Sequence, residues 1–144
     1  MDSSTEQIEA ARRLLAAEPH LRWGYVFGSV ARGQRGRDLD VAIMPAATMP
    51  PGAVGWGLII ARLEAGTGRQ VDLVDLGCAD LPLLGPMLLD RVVVLDREPD
   101  ARRAFEADTT SRWLDFKPSF EEAERIRNLA MRARLDRSRT KGSP

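Results

Sequence analysis

Phe27-Gly28-Ser29-Val30-Ala31-Arg32-Gly33 is followed at once by Gln34-Arg35-Gly36-Arg37 and then by Asp38-Leu39-Asp40-Val41-Ala42-Ile43. Side chains on a strand alternate between its two faces, so Asp38 and Asp40 should project from one side while Leu39, Val41 and Ile43 enter a core. Leu21 to Phe27 reads as the preceding strand. Gly28-Ser29 is then a turn opening a short helix that carries Ala31 and Arg32, with free N–H groups at its start suited to an anion. Downstream, Gln70-Val71-Asp72-Leu73-Val74-Asp75-Leu76 is a third strand-like run. Its alternation puts Asp72 and Asp75 on opposite faces, so only one of them can join Asp38 and Asp40. Asp72, the earlier of the two, is assigned to the cluster, and Asp75 to the strand end.

A phosphate cradle beside two or three carboxylates on adjoining strands suits nucleotidyl transfer. The triphosphate and the attacking nucleophile are both electron-rich, so divalent cations are required to bind the phosphates and stabilise the leaving pyrophosphate. Magnesium prefers hard carboxylate oxygens and retains several waters, and two such ions held by Asp38, Asp40 and Asp72 make a two-metal, in-line displacement the expected chemistry. Asp-x-Asp alone is common in solvated turns, and Ser29 alone is an ordinary helix cap. Their order along the chain, each beside a strand, gives the reading its weight.

These motifs resemble the minimal nucleotidyltransferases of the DNA polymerase beta superfamily. The later segments, Arg103-Ala104-Phe105-Glu106 and Trp113-Leu114-Asp115-Phe116-Lys117-Pro118 with a terminal helix, are similar to the MntA-type antitoxins that accompany HEPN toxins. The resemblance runs over residues 8–135. It implies a magnesium-dependent adenylyltransferase that moves AMP from ATP to a tyrosine of a cognate HEPN RNase toxin and so silences it. Under this resemblance Gly28, Ser29 and Arg32 would bind the nucleotide. Asp38, Asp40 and Asp72 would hold the metals and act in catalysis, with Asp72 at the bridging-metal or general-base position. The Gln34–Arg37 loop is shorter than the family's usual spacing, and Arg37 stands where the family has Ser. These departures frame one alternative, an antitoxin acting by binding alone. A small-molecule transferase of the aminoglycoside-modifying kind is a third reading. No residue marks a base-reading contact, and ATP as substrate comes from the resemblance.

Composition suits one globular domain: 144 residues, 44% hydrophobic and 29% charged, with net charge zero. Direct nucleic-acid binding is not expected from that balance. Cys78 is the single cysteine, which argues against a disulfide framework and for a reducing cytoplasm. The polar start, Met1 to Gln7, is unlike a secretion signal, and no apolar run is long enough to span a membrane.

The expected architecture is α/β (α+β): a small mixed sheet flanked by helices, polymerase-beta-like, with a C-terminal helix. Ser4 and Gln7 resemble a capping box before a helix buried through Ile8, Ala11 and Leu15 and ending near Pro19. His20, the single histidine, reads as a surface or helix-end residue. A Pro- and Gly-rich connection, Pro45 to Gly52, leads to a helix with Val54, Leu58, Ala61 and Ala65 on one face and a stop at Gly66. Leu81 to Asp90 reads as a helix broken or bent at Gly85-Pro86, and Arg91 to Leu95 as a buried strand. The catalytic core is assigned to residues 1–100 and a helical extension to 101–144, with a disordered tail from Thr140 to Pro144. In the extension, Ser119 and Glu122 form a second capping box before a stripe of Phe120, Ala123, Ile126, Ala130 and Ala133. Arg125 to Lys141 carries seven basic residues and one acidic, Asp136. That stripe either packs on its own domain or meets a partner: the toxin, in a hetero-oligomer, or a second copy of the chain.

Overall fold

The computed structural model describes residues 3–34, 38–49 and 53–141. In chain order the elements are α1 (Ser3–Ala16), β1 (Leu21–Phe27), α2 (Gly28–Ala31), β2 (Asp38–Pro45), α3 (Ala53–Thr67), β3 (Gln70–Asp75), α4 (Leu81–Asp90), β4 (Val92–Asp96) and α5 (Pro99–Lys141). The strands form one mixed sheet in the order β3-β2-β1-β4. β2 and β3 run parallel, while β1 is antiparallel to both β2 and β4.

Alternation along β2 builds two cores. Leu39, Val41 and Ile43 meet Ala11 and Leu15 of α1 and Ile59 and Leu63 of α3 on one face. Ala42 and Met44, on the other, meet Trp23 and Tyr25 of β1 and Leu84, Met87 and Leu88 of α4. Fully burying each such side chain contributes about 1.5–3 kcal/mol, so both helical layers are firmly seated. By the same alternation Asp38 and Asp40, at the start of β2, belong to the α4 side of the sheet.

Several local readings are corrected. Ser4 lies inside α1 and is buried, rather than capping it from outside. The buried face of α3 is Ile59 and Leu63, with Trp56 and Ile60 packed alongside, whereas Val54 is 80% and Leu58 49% exposed. Because α3 is apolar on nearly every side, its spacing does not choose a face. α3 runs past Gly66 to Thr67, and Gly68, at φ +67°, supplies the left-handed residue beyond its end. α4 continues through Pro86, so of the two readings for Gly85-Pro86 the break is excluded.

α5 is also continuous, running 43 residues through Pro118 and past the capping-box pattern at Ser119. It reaches Lys141, so the expected disordered tail does not begin at Thr140; residues 142–144 lie outside the described residues. Its first half is held to the sheet by charge and aromatics. Tyr25 donates to Glu106 at 2.7 Å, Arg91 binds Glu106 through Nε at 2.6 Å, and Arg102 bridges Glu106 at 2.9 Å and Asp96 at 3.0 Å. Burial and the Glu106 bond push the Tyr25 hydroxyl well above its ordinary pKa. Its cationic and hydroxyl partners hold Glu106 below the usual carboxylate range despite the opposing effect of burial. Farther along, Trp113 is buried over Gly85 of α4, where an added Cβ would overlap the indole, and Phe116 and Phe120 stack against it at tilted angles. Beyond Phe120 the helix is exposed almost throughout: Ile126, Leu129, Met131 and Leu135 are each more than half exposed.

Candidate active site

Asp40 sits where three strands' ends converge. It pairs with Phe27 of β1 on one side and with Asp72 of β3 on the other. A direct register partner in a parallel pair points to the same face, so Asp72 and Asp40 share one side, and Asp38, two residues before Asp40, shares it too. Asp38 and Asp72 are exposed and Asp40 is half-buried. Asp75 is turned elsewhere, accepting from the backbone N–H of Gly77 at 2.8 Å and from the Cys78 thiol at 3.4 Å at the close of β3.

Asp38 and Asp72 act on Asp40. Burial, followed by the charges of Asp72 and Asp38, raises the Asp40 pKa above its ordinary value, and Arg32 partly opposes the shift. Concentrated negative potential of this kind is what attracts a hard divalent cation. Among the described residues no three His, Cys, Asp or Glu side chains are gathered into a ready-made metal cage. An open donor set fits magnesium, which keeps waters and takes substrate phosphates as ligands instead of demanding an all-protein cage.

Gly28 begins α2 directly beside Asp40. Its φ is +72°, and an added Cβ would overlap Asp40 Oδ2. Glycine is therefore required twice, by the left-handed backbone and by the carboxylate lying against its Cα. The turn that presents α2 is thus built around the metal-binding candidate. Ser29 follows at a half-buried position, and the amide of Gln34 bonds back to its carbonyl at 2.8 Å, closing the turn.

Arg32 has a partner that the sequence does not announce. Its guanidinium donates to Asp90 of α4 at 2.8 Å, a partner 58 residues away in sequence. It remains within electrostatic reach of Asp40. Arg37 and the shortened loop, apart from Gln34, lie outside the described residues. His20 is remote from the site, with Nδ1 3.3 Å from Thr48 Oγ1. Asp90 was missed in the sequence because nothing local distinguishes it from any helix-terminal acid.

No family model and no curated protein matches the chain. Solved structures do. A toxin–antitoxin complex with AMP-PNP aligns at TM-score 0.67 and 24% identity, covering 86% of this chain and 98% of that one. The MNT antitoxin complex with tri-AMPylated Shewanella oneidensis HEPN toxin aligns at TM-score 0.65 and 22% identity, over 89% and 98%. A chain assigned as a minimal nucleotidyltransferase aligns at TM-score 0.51 and 28% identity, over 64% and 95%. The fold is that of the minimal nucleotidyltransferases. The enzyme class read from the sequence, nucleotidyltransferase, is the class of the minimal nucleotidyltransferase neighbour. No helix among the described residues is long and apolar enough to cross a membrane.

Proposed function

We propose that the chain is a magnesium-dependent adenylyltransferase antitoxin that transfers AMP from ATP to a tyrosine of a HEPN-type toxin. The observation that carries this is the Asp40 cluster: three carboxylates on one sheet face, with the Gly28 turn moulded against the central one. The AMP-PNP complex and the AMPylated toxin among the neighbours support the substrate and the acceptor.

In this reading residues 1–100 carry the chemistry and 101–144 engage the partner. Gly28 and Ser29 hold the β- and γ-phosphates at the α2 turn. Asp38, Asp40 and Asp72 would hold magnesium, which when bound neutralises the phosphates and lowers the pKa of the acceptor hydroxyl. The tyrosine oxygen forms a bond to the α-phosphorus and its proton passes to Asp72, while the bond from the α-phosphorus to the bridging oxygen breaks and pyrophosphate leaves with the electron pair. The outer half of α5 presents exposed Ile126, Leu129 and Leu135 among seven basic residues, a surface for an acidic toxin face.

Co-expression with the toxin tests the reading. Asp38→Ala and Asp40→Ala are each expected to lose protection of growth while still co-purifying with the toxin. Full protection by both variants would replace the enzyme with an antitoxin that acts by binding.

A further inference from the structure

Arg32 carries a cation one helical turn from the central metal-binding candidate. Its backbone N–H bonds to the Gly28 carbonyl at 3.2 Å, and Gly28 lies against the Asp40 carboxylate. A guanidinium so close to three carboxylates would ordinarily join them. It pairs instead with Asp90, the last residue of α4, at 2.8 Å, and among the described residues with none of the three. We propose that Asp90 is a positioning residue: its carboxylate holds the Arg32 guanidinium on the α4 side of the turn and so keeps Asp38, Asp40 and Asp72 available to a divalent cation. The proposal rests on the metal-dependent reading above and adds to it a residue that lies outside the motifs of the site.

Competition for the carboxylates is the first argument. A divalent cation and a guanidinium use the same oxygen lone pairs, so each excludes the other. Arginine keeps its charge at every pH at which the protein is folded, and only another carboxylate can draw it aside. The field of Arg32 reaches Asp40, where it opposes the rise in pKa that burial, Asp72 and Asp38 produce. The two groups are therefore near enough to interact, and the bond to Asp90 decides where the guanidinium stays.

Anchorage is the second argument. Arg32 and Asp90 are 44% and 36% exposed, and an ion pair so open to water adds little to stability when both side chains wander. Here one end is fixed. Arg91, the next residue, donates to Glu106 of α5 at 2.6 and 2.9 Å and to the Leu88 carbonyl at 2.9 Å, and Leu88 is itself buried against the sheet. The end of α4 is thus tied to α5 and to the core. Aspartate is short, so an anchored backbone leaves its carboxylate little room, and the longer arginine is drawn to it. Such a pair sets a position more than it adds stability.

Loss of Asp90 has a defined consequence. The guanidinium turns to the Asp40 cluster, and a divalent cation must displace it to bind.

Equilibrium binding of manganese to the full chain, followed by its spin-resonance signal, tests this; manganese shares magnesium's preference for carboxylate and water oxygens. The titration is run with the metal alone and with AMP-PNP. Asp90→Ala should weaken manganese binding by about fourfold or more, the effect of one unit charge roughly 10 Å from a divalent ion in water. In an Arg32→Ala background the same Asp90→Ala change should move binding by less than about twofold, because no guanidinium is left to restrain. The double variant should thereby bind manganese more tightly than Asp90→Ala alone, a recovery that damage to the fold would not allow. Asp90→Glu, which keeps the charge, should stay within about twofold of wild type. An equal loss from Asp90→Ala in both backgrounds would make Asp90 a distant charge acting directly on the metal, and no loss in either would make the pair a surface contact. Each of these overturns the positioning role and leaves the transferase reading standing. Failure of wild type to bind manganese under either condition removes that reading, and the positioning role with it.

Discussion

Replacing Gly28 with alanine separates two demands made on one residue. At φ +72° any L side chain incurs the left-handed penalty, about 1–2 kcal/mol. For a chain of this length that lowers the melting temperature by roughly 3–8 °C. Gly68 supplies the control: its φ is +67°, but nothing lies within 4 Å of its added Cβ. Gly68→Ala should therefore lose similar stability. What differs is Asp40. The new methyl overlaps Oδ2, and relief requires the carboxylate to withdraw by roughly an ångström, a displacement that can cost about a hundredfold in rate. The withdrawal is a rotation of a short side chain, so it adds little to the loss of stability. The expected result is two variants with melting points within a few degrees of each other and transfer rates separated by about two orders of magnitude. Calorimetric melts and initial rates of AMP transfer measure both. Equal activity of the two variants would refute the coupling of the turn to Asp40, as would an active Gly28→Ala.

Other outcomes follow from charge and packing. Asp40 has a raised folded pKa, so its contribution to stability is present below about pH 4 and is lost as pH rises through the folded value. Asp40→Asn should accordingly raise the melting point at pH 7 without metal, and magnesium should stabilise wild type more than this variant, as a thermal melt series would show. Glu106 has the opposite sign: its pKa is lowered, so its contribution is present above the ordinary carboxylate range and lost as pH falls. Glu106→Ala leaves Arg91 and Arg102 without their shared partner and should cost about 3 kcal/mol in urea unfolding at pH 7. Trp113→Ala empties the seat of α5 over Gly85 and should cost about 3–5 kcal/mol, with increased amide exchange concentrated in α4 and α5.

Strand alternation made much of the candidate site legible. Asp38 and Asp40 fall on one face by period alone, and the Asp72 choice agrees with a register that places it opposite Asp40. The Gly28-Ser29 turn was visible because glycine before a short helix has few other uses. The Arg32–Asp90 pair and the Glu106 network were not visible, since each joins residues that only the folded sheet brings together. The face of α3 was misread because apolar residues surround that helix and its periodicity carries little information. In α5 the Ser119–Glu122 pattern and Pro118 suggested a boundary, but Trp113, Phe116 and Phe120 stack at helical spacing across the proline and carry the helix through. Tertiary contact prevailed there over local signals.

Mass spectrometry of the HEPN-type toxin after incubation with this chain, magnesium and ATP tests the central claim most directly. Wild type should leave AMP on a toxin tyrosine, and the Asp38→Ala/Asp40→Ala double variant should leave none. An unmodified toxin that is nonetheless bound and silenced by wild type would contradict it.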